Sequence, residues 1–298
     1  MTEYQDLKWQ LKDLYEDYYT KTPVHYAEYS FSNLWTWKDA FPVKLNFDEK
    51  NNLCWISFTG DFPGICGPVG NWNNINWQNA LSQFKSGDII YDVPEEVKNL
   101  LSQDEFFKSK LAFQEEPEQN EYLYSVQELI NLKGKNFAHK RNRLRAFLTG
   151  YEWDYYEITP DDFKEIMNFQ EKWRVHRELT LNNNEIESLD EEDEAIKLTF
   201  KHWNDFKFLG GMLKINDEII AYTIAEDLDG ENLDVKFEKA FAEYSGSYQA
   251  INNLFLKNQG TNYKFANREE DLGESGLREA KLSYNPIKML KKFTIKFL

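Results

Sequence analysis

Apolar and polar positions alternate along the first 132 residues in short, frequently interrupted runs. Leu7, Leu11, Leu14 and Tyr18 recur at helical spacing, which predicts a helix over 3–20 that Pro23 stops. A second short helix is expected over 30–41, with Ser30 or Ser32 as its cap. Strand-like runs follow at 41–47, 52–59 and 64–70, then a polar loop leading into a helix at 71–84. A strand at 88–94 ends on Pro94, which opens a helix over 95–103; two further strands are expected at 110–116 and 121–126.

Beyond residue 132 the pattern is more regular. Phe137, Leu144 and Leu148 form one apolar stripe on a helix that begins near Lys135 and stops at Gly150. A strand at 153–159 leads through Pro160 to a long helix over 161–179, then an acidic loop and a helix over 191–206. A hairpin with the turn Asn216-Asp217-Glu218 joins strands at 210–215 and 219–227. Next come a strand at 233–241, a helix at 248–259, a strand at 262–268, a helix at 272–285 and a last strand at 288–297. The order is mixed α/β, in two units of comparable size, 1–132 and 133–298.

Charge changes the picture. With 51 acidic and 35 basic residues in 298, the formal net charge is -16. That excludes a protein that coats nucleic acid through a general basic field. Yet "KGKNFAHKRNRLRAF", 133–147, holds Lys133, Lys135, Lys140, Arg141, Arg143 and Arg145 with no acid. On a helix starting near Lys135, Lys133, Lys140 and Arg143 share one face and Arg141 and Arg145 a flank. Crowded like charges are relieved by a bound anion such as a phosphate; a solvated basic face is the alternative. The Lys133/Lys140/Arg143 face is expected to look toward a cleft between the units. Cys54 and Cys66 have no metal-type spacing and nothing requires a disulfide. His25, His139, His176 and His202 lack metal-ligand spacing, so no metal is expected. The opening "MTEYQDLKWQ" is unlike a signal peptide and no apolar run spans a bilayer, so a cytoplasmic location is expected.

The words "NREEDLGESGLREAKLSYNP", "KGKNFAHKRNRLRAF", "GGMLKINDEIIAYTIAE" and "DVKFEKAF" together resemble the phosphatidylglycerol lysyltransferase C-terminal domain family. The layout also resembles the Fem-type aminoacyltransferases. The resemblance implies two tandem GNAT-like acyltransferase domains. It implies transfer of an aminoacyl group from aminoacyl-tRNA to a phosphatidylglycerol-like lipid or another hydroxyl or amine acceptor. It implies no cofactor beyond that co-substrate, and a place at the inner face of the membrane with an anionic phospholipid head group as partner. An acyl-CoA-dependent N-acyltransferase and a non-catalytic module for anionic ligands are the rival readings.

Within this frame Glu238 is the expected general base, or else the partner of a nearby lysine. Tyr284 is the expected proton donor to the leaving group, or else a packing residue. Asn267, Arg268 and Glu270 stand at a strand end, where α/β sites gather, and are expected to bind substrate; Arg268, Arg278 and Lys281 are expected to hold its anionic groups, and Lys133, Lys140, Arg141 and Arg143 phosphates. Asp271 and Glu274 read as a capping box, and Gly276 as a point of close backbone approach. The loop at 242–247 stands where a GNAT protein binds pyrophosphate. It has Gly246 but carries Glu243 where Gln or Arg is usual and Tyr248 where a small residue is usual, which disfavours coenzyme A.

Overall fold

The computed structural model describes residues 3–60, 63–178 and 183–298 and divides into two compact units. Unit 1 comprises Met1–Glu121, Glu270–Glu274 and Met289–Leu298; unit 2 comprises Tyr122–Glu269 and Ser275–Lys288. The sequence boundary at 132/133 therefore falls inside unit 2, and the chain's last strand lies in unit 1.

Unit 1 contains β1 (Gln5–Asp6), α1 (Lys12–Tyr19), α2 (Phe31–Thr36), β2 (Val43–Asp48), β3 (Leu53–Phe58), β4 (Gly64–Gly70), α3 (Trp77–Ala80), β5 (Ile89–Pro94), α4 (Glu95–Gln103) and β6 (Leu111–Glu115). The expected helix over 3–20 is shorter than predicted: Gln5 and Asp6 instead pair with Leu45 and Lys44 of β2. Ser30 caps α2, its Oγ accepting from the Asn33 amide at 3.1 Å. Buried Leu45, Trp55, Ile56, Val69, Ile90 and Val97 supply much of the core.

The remaining elements are β7 (Glu121–Ser125), α5 (Val126–Asn131), α6 (Ala138–Gly150), β8 (Asp154–Glu157), α7 (Phe163–Glu178), α8 (Asn183–Lys201), α9 (Trp203–Phe206), β9 (Leu209–Ile215), β10 (Glu218–Asp227), β11 (Asn232–Ala240), α10 (Ser247–Asn258), β12 (Phe265–Asn267), α11 (Ser275–Leu282), β13 (Lys288–Leu290) and β14 (Lys292–Phe297). The single strand expected at 288–297 is two. β14 inserts between β5 and β6, giving one sheet the order β1-β2-β3-β4-β5-β14-β6. The other sheet runs β13-β7-β12-β11-β10-β9-β8. Helix α5 had no counterpart among the expectations. Helix α8 starts earlier than expected, inside the stretch read as an acidic loop; residues 179–182, the last of the expected helix and the first three of that loop, lie outside the described ones.

What positions the site is the middle of the second sheet. The hairpin β9–β10 turns on Asn216 and Asp217, both at positive φ (51° and 62°), as the sequence suggested. Beyond it β10 pairs antiparallel with β11, and Thr223 stands opposite Glu238. On its other side β11 pairs parallel with β12 only at Asn232↔Phe265, Leu233↔Ala266 and Asp234↔Asn267. There β12 ends while β11 runs on to Ala240, so the neighbouring strands part at their C-terminal ends. Crevices of this kind are where open α/β sheets hold ligands.

Two helices close one face of this sheet. Phe137, Leu144 and Phe147 of the α6 segment and Ala250, Ile251 and Leu254 of α10 pack with Leu213, Ala221 and Ala240 in one apolar cluster. This fixes α6 by its expected apolar stripe. Helices α7 and α8 contact the opposite face, where Tyr222 donates to Gln170 (3.1 Å) and Lys239 pairs with Glu192 (2.8 Å).

Candidate functional site

Simple alternation would put Asp234, Lys236 and Glu238 on one side of β11, but the register against β10 shifts at Lys236, with Ile224 opposite Phe237 and Ala225 opposite Val235. The three polar residues do different work. Lys236 is buried between Glu226 (3.1 Å) and Asp234 (3.3 Å), an internal ion network that holds its ammonium more strongly than usual despite burial. Glu238, further along where β12 has ended, meets Arg268. The Arg268 Nη2 donates to Glu238 Oε1 at 2.7 Å, and Asn252 of α10 donates to Oε2 at 3.2 Å.

Arg268 follows directly on β12, and its amide donates to the Tyr122 carbonyl of unit 2 at 3.0 Å. Burial opposes its charge, but the Glu238 carboxylate more than offsets this, so its pKa is raised. Its guanidinium lies 5.0 Å from the Tyr284 ring centre and 5.8 Å from that of Tyr124. Tyr284 is buried, and its phenol is pushed up to about 12 by desolvation, against the smaller opposing effect of the Gln249 amide. The same ring carries a second cation, the Lys140 ammonium, 3.9 Å from its centre. Lys140 is 7% exposed and its pKa falls to about 8, chiefly through burial and then through Arg268, against the pull of Glu238. Among the described residues no carboxylate or carbonyl accepts a hydrogen bond from that ammonium.

The structure thus gathers Lys140, Glu238, Arg268 and Tyr284 in unit 2. Lys281 and Asn267 stand beside them in supporting positions. The Lys281 ammonium donates to the Arg268 carbonyl at 2.5 Å, while Tyr124 donates to the Lys281 carbonyl at 2.8 Å. Asn267 is fully buried and its Oδ1 accepts from the Glu269 amide at 2.9 Å, turning the chain after β12.

The rest of the predicted set is elsewhere. The basic stretch does not share one helical face, because α6 begins only at Ala138 and Lys133 lies exposed in the turn before it. Arg141 folds back onto the carbonyls of Leu132 (2.5 Å) and Gly134 (3.0 Å). Arg143 is exposed and donates to Ser245 at 3.1 Å. Arg278 is half-buried on α11. Glu270 belongs to unit 1, where it acts on buried Lys292 and Asp92. Helix α11 starts at Ser275, and Asp271 Oδ1 accepts from the Gly273 amide at 2.9 Å. Gly276 has open space around it rather than a close neighbour.

Sequence reasoning missed Asn252, Gln249 and Tyr124. The first two were discoverable as polar residues in the otherwise apolar helical run "YQAINNLFL"; nothing local marks Tyr124.

Unit 1 holds its own buried charge cluster. Lys292 is fully buried and pairs with Glu28 (2.6 Å) and Glu121 (3.2 Å). Burial raises the Glu28 and Asp92 carboxyls above their usual range although Lys292 pulls them down. Among the described residues no group of three or more His, Cys, Asp or Glu is arranged to hold a metal ion, and no helix is long and apolar enough to cross a membrane.

With this geometry fixed, the relatives can be weighed. The family model for phosphatidylglycerol lysyltransferase, C-terminal, matches residues 20–296. The chain belongs to this family. A conserved protein of unknown function from Bacteroides thetaiotaomicron shares 26% identity over 100% of both chains, with a TM-score of 0.86. The C-terminal domain of a proposed lysylphosphatidylglycerol synthetase from Agrobacterium fabrum shares 12% identity, covering 95% of this chain and 91% of that one, with a TM-score of 0.64. Similarity of fold extends to FemX (9% identity, 99% and 97% covered, TM-score 0.62) and to a tandem GNAT protein of clavulanic acid biosynthesis (7%, 100% and 98%, 0.52). An uncharacterized Mycoplasmoides gallisepticum protein is 26% identical over 189 residues, 59% of this chain and 56% of that relative. The match thus spans little more than half the length of that curated relative. The family member described here therefore has the tandem GNAT-like fold.

Proposed function

We propose that the crevice of unit 2 transfers an aminoacyl group from aminoacyl-tRNA to a hydroxyl or amine acceptor, with a phosphatidylglycerol-like lipid as the leading acceptor class. The observation that carries this reading is the pair of cations on one phenol ring. Lys140 and Arg268 both approach Tyr284, yet Glu238 offers them one carboxylate, and Arg268 and Asn252 already use its oxygens. The crevice is cationic in a chain of net charge -16, so it suits a terminal tRNA phosphate and the oxygen of an ester carbonyl under attack. Glu238, first expected as the base, reads better as the group that orients Arg268.

The loop before α10 favours this donor over coenzyme A. Gly246 sits at φ +91°, and a Cβ there would collide with the Arg143 carbonyl of α6. Its need for glycine is met by packing on α6, and Glu243 stays exposed beside it.

The test is direct. Purified protein is offered each aminoacyl-tRNA in turn, with phosphatidylglycerol vesicles and small amine acceptors present. Transfer is expected from at least one aminoacyl-tRNA, with a loss of about 100-fold or more in Arg268→Ala. No transfer from any of them, or an Arg268→Ala enzyme as active as the parent, rules the reading out.

A further inference from the structure

Three features bear on how a proton could move in this crevice. Lys140 is 7% exposed, yet its ammonium has no hydrogen-bond acceptor among the described residues and rests only on the Tyr284 ring, at 3.9 Å. Arg268 shares that ring at 5.0 Å, so a second positive charge lies close by. The carboxylate facing both is engaged, at Oε1 by Arg268 (2.7 Å) and at Oε2 by Asn252 (3.2 Å).

We propose that Lys140 is the proton carrier of the transfer reaction, taking the acceptor's proton and returning it to the leaving oxygen. This rests on the aminoacyl-transfer reading of the same crevice. The acceptor's oxygen or neutral nitrogen attacks the ester carbonyl carbon, and a C–O or C–N bond forms. The bond from that carbon to the ribose oxygen breaks. The acceptor's proton moves to the Lys140 amine, making an ammonium. The ammonium then gives that proton to the departing ribose oxygen, which leaves as a hydroxyl. Lys140 ends neutral, as it began, and no proton is consumed.

The surroundings supply the neutral amine this needs. The groups facing Lys140 are Arg268 after β12, Glu238 of β11 and the Tyr284 phenol after α11; Tyr124 of β7 lies behind Arg268. On its own helix His139, Arg141 and Arg143 are exposed. With its pKa at about 8, roughly a quarter of Lys140 is neutral at pH 7.5, against about one part in a thousand for a free lysine. Glu238 lacks this freedom because both its oxygens hold donors. Tyr284, at about 12, keeps its proton.

Two measurements test the assignment. Lysines are reductively ¹³C-methylated and their resonances titrated, with Lys140→Ala identifying the Lys140 signal; a midpoint near pH 8 is expected, and one above 10 overturns the proposal. Aminoacyl transfer is then followed against pH. The parent should rise to a plateau with an apparent pKa near 8. Lys140→Arg, which keeps a cation but cannot lose its proton, should lose about 100-fold in kcat and the alkaline rise with it. Lys140→Ala should lose as much and regain activity with added ethylamine. Variants that keep the parent's pH limb, or change KM alone, overturn the proposal while leaving the transfer reading in place. A parent protein that transfers from no aminoacyl-tRNA overturns both.

Discussion

At Lys140 a structural cost accompanies the proposed function. A lysine stem buried among Tyr284 and α6 loses water around its charge, and Arg268 adds repulsion. Its folded pKa of about 8 lies below the roughly 10.4 of an unfolded lysine. Between those values the unfolded chain binds more protons, so stability from this group rises with pH across that window and the full penalty applies below about pH 8. Lys140→Met is therefore expected to raise unfolding free energy at pH 7 by about 1–2 kcal/mol, and the gain should shrink by pH 9.5. Denaturant melts at the two pH values check this. A variant less stable than the parent at pH 7 would mean that Lys140 is held by favourable packing on the ring. A stabilised but inactive variant is what a functional residue under strain should give.

At the scale of elements, α6 and the loop before α10 are fitted to one another. Gly246 combines a φ of +91° with contact against the α6 backbone at Arg143 and the Phe147 side chain. Gly246→Ala is expected to cost about 2–4 kcal/mol, from left-handed backbone strain plus the steric collision. Hydrogen exchange should show α6 loosening first; uniform protection across the variant would contradict this. The sequence made much of this architecture legible. Periodicity found α6 by Phe137, Leu144 and Leu148, and the hairpin by Asn216-Asp217, because those signals are local. It missed α5, which is six residues long, and overextended the helix at 3–20, because the pairing of Gln5 and Asp6 with β2 is a distant contact. The site was half visible for the same reason. Glu238, Arg268, Lys140 and Tyr284 could each be named from the chain. Their meeting at one ring depends on β11 outrunning β12, which no local pattern encodes. Lys133, Lys140 and Arg143 looked like one charged face, yet Lys133 precedes the helix, and Arg141, placed on the flank, serves backbone carbonyls.

For the whole molecule, chain order and structural order differ. The strand β14 pairs with β5 and β6, so unit 1 is completed only when the last residues are in place. Both units contain a parallel strand pair, β4–β5 and β11–β12, but the surroundings differ. Near the first, Lys292 is enclosed by Glu28, Glu121 and their acidic neighbours. Near the second, Lys236 is paired by Glu226 and Asp234, while Lys140 and Arg268 share the one Glu238 carboxylate. The net charge of -16 makes that cationic crevice a local exception, suited to an anionic or ester-bearing ligand while the remaining surface repels bulk nucleic acid. The central claim is that this crevice receives the aminoacyl end of a tRNA. A stable 3′-amide mimic of an aminoacyl-tRNA terminus, titrated by calorimetry into the parent and into Arg268→Ala, tests it most directly. Saturable binding by the parent, and at least tenfold weaker binding by the variant, is the predicted result; no binding for any amino acid, or equal binding by both proteins, would contradict it.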